Sequence, residues 1–191
     1  MKQTEITVEV FDSLEEIKKI LTGQNFEIVE TYALNDFYFS KFENDILENM
    51  NYKNIMENSF LIRQIISSQT KTELIFKNKI IDKNNVVIEE EKIPCVILDL
   101  ENALKIFHLA KLNCWCKLKQ SIVVFKKKEI EFCVSEIENL GIFIEYEQTE
   151  NMNNLSAQEK IEFMKNILKS LNLNIGNDFS CKKPYLKFLK K

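Results

Sequence analysis

Apolar and polar residues alternate with a period of two along most of this chain, and that period constrains the fold more than any other feature. Residues two apart in a strand share a face. In the segment Leu140 to Glu147, Glu145 and Glu147 therefore point one way while Ile142, Ile144 and Tyr146 point the other. The same arithmetic groups Glu5 with Thr7 and Glu9, Glu89 with Glu91, and Lys117 with Lys119, and it puts Arg63 and Lys77 on further strands. Strand-type runs cover 4–10, 26–40, 59–68, 71–80, 86–98, 113–119, 121–126, 129–134 and 142–148. A break is expected near Ala33 to Asn35, a turn at Asp82-Lys83-Asn84-Asn85, and an edge or bulge at Pro94.

Helical spacing is confined to fewer places. Asp12 and Ser13 offer caps for a helix from Leu14 to Leu21 that Gly23 ends; Asp99 caps a second helix over 99–111; and Ser156 to Leu171 is amphipathic. The Asn-rich stretch 43–58 reads as a loop with a weak helix, and the chain ends in a basic tail, KKPYLKFLKK. Strand runs interrupted by helices without βαβ alternation indicate an α+β fold with a mostly antiparallel sheet. About eight strands suffice to close a barrel. An open sheet with helices on one face fits the same pattern.

A chain of 191 residues supports one sizeable core, so a single domain, 1–191, is expected. No apolar run approaches the roughly 20 residues that span a bilayer, and the N-terminus alternates too early for a signal peptide, which predicts a cytoplasmic protein with no membrane partner. The five cysteines, Cys95, Cys114, Cys116, Cys133 and Cys181, are odd in number and contain no C-x-x-C, so they read as reduced thiols. The only histidine, His108, sits in a helix-like apolar stretch and reads as packed. A net charge of −3 argues against a nucleic-acid surface. Any phosphate ligand must meet a local basic pocket.

Two interpretations of the charged strand faces follow from the residues. They are solvated faces of half-buried strands, or they converge, with carboxylates holding a hard cation and Lys/Arg neutralising phosphoryl oxygens.

Several segments match a known family in order. LGIFIEYE, 140–147, is similar to the LG-x-F-x-E-x-E element near the last barrel strand of the CYTH, or triphosphate tunnel, family. NDFYFS, 35–40, resembles its D-x-Y-F-D element; FLIRQI, 60–65, its R-x-R strand; and TELIFKNK, 72–79, its lysine strand. Glu89 and Glu91 fit its acidic strand, CKLKQSI, 116–122, its K-x-R strand, and the KKPYLKFL tail its closing helix.

The resemblance implies a closed eight-stranded antiparallel β-barrel with flanking helices, whose tunnel binds a small triphosphate-bearing ligand with Mg2+ or Mn2+. By the resemblance, Glu5, Glu145 and Glu147 are metal-side acids supported by Glu89 and Glu91. Arg63, Lys77, Lys117 and Lys119 form the phosphate clamp, with Arg63 and Lys77 acting on the transferring group. The implied activity is hydrolysis of inorganic triphosphate, thiamine triphosphate or a nucleoside triphosphate; the alternatives are a class IV-type adenylyl cyclase or a catalytically degenerate polyphosphate-binding barrel. A homodimer is left open. Thr7, Glu9, Leu61, Lys119, Ile122 and Ser135 depart from the family's pattern, which removes charge from both the acidic and the basic set.

Overall fold

The computed structural model describes residues 2–51, 54–55, 59–81 and 87–190; the side chains at 2, 44, 45, 78, 79, 81, 87–89 and 151 stand outside that description. The strands are β1 (Lys2–Gln3), β2 (Glu5–Val10), β3 (Glu27–Ser40), β4 (Ser59–Ile66), β5 (Thr70–Ile81), β6 (Val87–Ile97), β7 (Asn113–Lys127), β8 (Ile130–Ile137) and β9 (Gly141–Glu147). The helices are α1 (Leu14–Gly23), α2 (Asn44–Glu48), α3 (Leu100–Leu109), α4 (Ala157–Lys169) and α5 (Lys183–Leu189). All nine strands form one sheet, ordered β1-β6-β5-β4-β3-β7-β8-β9-β2. Every ladder is antiparallel.

The closed eight-stranded barrel expected from the resemblance is not formed. The hydrogen-bonded order runs from β1 to β2, and no ladder joins these two ends. They are consecutive in the chain, separated only by Thr4, so the sheet curls until its ends meet through one chain segment rather than through a ladder. β1 pairs with β6 through Lys2↔Glu91 and Gln3↔Glu90, while β2 pairs with β9 from Glu5↔Glu147 to Val10↔Ile142. A backbone kinked at one residue donates its ladder bonds to one neighbour before the kink and to another after it. The result is a curled open sheet.

Two expected strands at 113–119 and 121–126 are one. Lys119, Gln120 and Ser121 pair without interruption with Asn35, Leu34 and Ala33, so the break expected in β3 is absent too; the irregularities lie at Ile28/Glu30 and Tyr38/Phe39. Gln120 points inward and hydrogen-bonds there while Lys119 and Ser121 face solvent, so this polar run alternates as a strand does and does not mark a turn. The turn expected at 82–85 and part of the stretch at 43–58 lie outside the described residues.

One face of the sheet carries the larger apolar core. Ile6, Val8 and Val10 of β2, Ile144 and Tyr146 of β9, Phe132 and Val134 of β8, and Phe125 of β7 pack against Ile17 and Leu21 of α1 and Ile161, Met164 and Leu168 of α4. Both helices begin with the same device: Ser13 with Glu16, and Ser156 with Glu159, form capping boxes that satisfy amide donors at the helix start. α3 buries no residue of its own. It touches the sheet through Phe107, edge-on to Phe39 at 4.9 Å, and leaves Leu98, Ile106 and Leu109 exposed. No helix among the described residues is long and apolar enough to cross a membrane.

Candidate functional site

The inner face is layered by the two-residue step of the strands. Leu34, Ile65, Ile122 and Cys133 form one apolar layer, and Tyr38, Leu61, Leu118, Ile137 and Phe143 another. Between them, at positions 36, 63, 120, 135 and 145, lie Asp36, Arg63, Gln120, Ser135 and Glu145. A polar belt between two apolar layers must satisfy itself internally.

It does so through a continuous chain of contacts. Arg63 donates in a fork to Asp36, Nε to Oδ1 at 2.7 Å and Nη2 to Oδ2 at 2.7 Å. Gln120 Nε2 donates to Asp36 Oδ2 at 3.0 Å, and its Oε1 accepts from Lys183 Nζ at 2.9 Å. Lys183 also reaches Ser135 Oγ at 3.4 Å and Glu145 Oε2 at 2.9 Å. Lys183 belongs to α5, whose Phe188 stands edge-on to Trp115 at 5.5 Å and holds the tail against the sheet. Beside this belt, Lys77 pairs with Glu90 at 3.2 Å. Lys92 Nζ lies 3.6 Å from Glu90 and 3.4 Å from Glu5, and also pairs with Glu147.

Burial opposes the charge on Arg63, but Asp36 outweighs it and holds the guanidinium well above its ordinary value. Burial likewise opposes the charge on Lys92, and Glu5, Glu147 and Glu90 together raise it well above the usual lysine range. Burial pushes the Cys133 thiol up to about 11, with Glu145 and Glu147 acting in the same direction.

Glu5, Arg63, Lys77 and Glu145 converge on one cavity of about 40 Å³, together with Thr7, Tyr38, Cys181, Lys182, Lys183 and Pro184. Glu147 does not line it; its carboxylate is exposed and pairs with Lys92, which also approaches Glu5. Lys117 and Lys119 are not brought there: both are exposed, Lys117 over the Phe37 ring at 6.0 Å and Lys119 3.7 Å from Glu138. β7 turns Leu118 and Gln120 inward instead. Glu91 is half-buried, the side chain of Glu89 lies outside the described residues, and the inward acid of that strand is Glu90, 1% exposed.

The acids expected to hold Mg2+ or Mn2+ already face cations of the chain itself. Lysine ammonium groups stand on them, Lys92 on Glu5 and Glu147 and Lys183 on Glu145. Among the described residues no group of three or more His, Cys, Asp or Glu side chains is arranged to hold a metal ion. A doubly charged ion about 4 Å from an ammonium is repelled by about 8 kcal/mol at an effective dielectric near 20. The residues as arranged do not fit a divalent ion.

Sequence reasoning passed over Asp36, Gln120, Glu90, Lys92 and Lys183 as functional groups. Glu90 and Lys92 had a signal, since a two-residue step from either reaches the other. Lys183 had none, because its place depends on where the tail docks.

No protein-family model matches the chain. A curated Methanocaldococcus jannaschii protein, named as a candidate adenylate cyclase, is 27% identical over 190 residues, 97% of either chain. The PH1819 protein of Pyrococcus horikoshii superposes with a TM-score of 0.70 at 17% identity, covering 98% of both chains. A Hippeastrum protein described as a candidate adenylyl cyclase with a dominant triphosphatase activity superposes with a TM-score of 0.59 at 14% identity, covering 98% of this chain and 95% of its own. The chain is thus similar along nearly its whole length to a protein named as a candidate adenylate cyclase, and its fold is that of the solved Pyrococcus and Hippeastrum proteins.

Proposed function

We propose that the inner cradle binds a small triphosphate-bearing anion and hydrolyses its phosphoanhydride. The observation that carries this reading is the convergence of Arg63, Lys77 and Lys183, from β4, β5 and the tail, on a single cavity. A planar guanidinium whose fork is already fixed by Asp36 presents its remaining donors without further ordering, which suits phosphoryl oxygens. Lys77 adds a second charge from the neighbouring strand. Transition-state charge on a transferring phosphoryl group is stabilised by such fixed donors.

The cavity of about 40 Å³ is far smaller than the roughly 300 Å³ or more of a ligand pocket, so entry requires α5 to withdraw and Lys183 to leave Glu145. Cyclisation of ATP is the second reading, favoured by the name of the Methanocaldococcus relative.

Incubation with inorganic triphosphate, thiamine triphosphate and ATP separates these readings. Orthophosphate supports hydrolysis, and cyclic AMP with pyrophosphate supports the cyclase. Calorimetric binding of tripolyphosphate without turnover leaves an anion-binding protein, and no binding at all overturns the proposal.

A further inference from the structure

At the acid end of the cradle the chain supplies its own cation. Lys92 Nζ is 3.4 Å from Glu5 and 3.6 Å from Glu90, and it pairs directly with Glu147. These carboxylates come from three strands, β2, β6 and β9, and Glu90 is almost fully buried. They meet where the two ends of the sheet approach, β1 and β2 pairing with β6 and β9 respectively. Like charges gathered at such a seam separate the strands unless a cation sits among them.

We propose that the Lys92 ammonium is a resident counter-cation, occupying the position a divalent ion would otherwise take among Glu5, Glu90 and Glu147, so that the wild-type chain excludes such ions there. A hard cation needs several oxygen ligands at about 2.0–2.6 Å. The ammonium already faces the three carboxylates, so a smaller, doubly charged ion in its place requires an inward movement of about 1 Å from Glu5 and Glu90, while Glu147 is already close enough. Removing the Lys92 ammonium while keeping the acids therefore frees Glu5 and Glu147, with Glu90 still paired to Lys77 at 3.2 Å beside them, to act as a carboxylate site for a hard divalent ion. The inference is independent of the phosphate reading, because it concerns the acids and the lysine alone.

The test is Mn2+ binding to the full chain in phosphate-free buffer, followed by the loss of the free-ion paramagnetic resonance signal. The wild type is expected to bind Mn2+ at least tenfold more weakly than Lys92→Gln, and Lys92→Arg, which keeps the charge, is expected to behave as the wild type. Adding Glu147→Gln to Lys92→Gln should abolish the gained site. Lys92→Ala gives the same reading through a second side chain if the glutamine disturbs folding, which circular dichroism checks. The proposal is overturned if the wild type binds Mn2+ tightly and Glu147→Gln removes that binding. It is equally overturned if a folded Lys92→Gln or Lys92→Ala binds Mn2+ no better than the wild type.

Discussion

Lys183 Nζ lies 2.9 Å from Glu145 Oε2, joining the C-terminal helix to the last strand of the sheet inside the candidate site. Lys183 is 7% exposed and Glu145 retains partial access to solvent. Replacing Lys183 by Met leaves Glu145 and Gln120 without this donor. A fully buried broken pair costs about 3–5 kcal/mol, and the exposure of Glu145 reduces this to about 1–3 kcal/mol. Urea unfolding of Lys183→Met, Glu145→Gln and the double variant measures it. The double variant should recover part of the loss, and strict additivity would show that the two residues do not act together.

Trp115 is the chain's only tryptophan and packs against Phe188 of the tail. Its indole Nε1 donates to Ser59 Oγ at 3.1 Å, which fixes the ring from the other side. If ligand entry displaces α5, tripolyphosphate should shift Trp115 emission to longer wavelength, and Phe188→Ala should show that shift without ligand. Phe→Ala in a packed core costs about 3–5 kcal/mol, so thermal unfolding of this variant should fall as well. An unchanged spectrum in a protein shown by calorimetry to bind would mean that the tail stays in place.

Lys77 and Lys117 separate the inner from the outer surface. Lys77→Met should weaken tripolyphosphate binding about tenfold, whereas Lys117→Met and Lys119→Met should leave it within twofold, because their ammonium groups lie outside the cradle. Equal losses in all three would place the anion on the outer face.

Asp36 is 1% exposed and holds Arg63 by two bonds. Arg63→Met strands this carboxylate and should cost about 3–5 kcal/mol, while Arg63→Met with Asp36→Leu should recover most of it. A destabilisation below 1 kcal/mol in the single variant would mean that water replaces the guanidinium.

Alkali should act through Cys133. Its thiol is raised from 9.0 to about 11 by burial, so the unfolded chain loses this proton at lower pH than the folded one. The raised value favours the folded state fully below pH 9, and that contribution is lost as pH rises from about 9 through 11. Stability by urea titration should therefore decline more steeply over this window in the wild type than in Cys133→Ala. Parallel declines would exclude the thiol as the source.

What the sequence determined by itself is local. Alternation in 142–148 and the serines before α1 and α4 fix strand and helix because pleat, period and cap act within a few residues. The two parities of β9 were legible for the same reason: Ile142, Ile144 and Tyr146 are apolar and go to the helix-covered core, while Glu145 and Glu147 lie on the opposite parity, which Glu145 carries into the inner cavity beside the buried Phe143. At Lys117 to Ser121 and at Glu89 to Lys92, polar residues occupy both parities, and only tertiary structure chose which side faces in. It placed Gln120 and Glu90 inside because partners wait there, Asp36 and Lys183 for one and Lys77 and Lys92 for the other. Leu61, a departure from the family's arginine, is buried at 2% in the inner apolar layer, so an arginine at that position would need a partner that the surrounding cluster does not offer. The open seam, the docking of the tail and the seating of Lys92 among acids from three strands all depend on contacts between segments far apart in the chain, which no local period encodes.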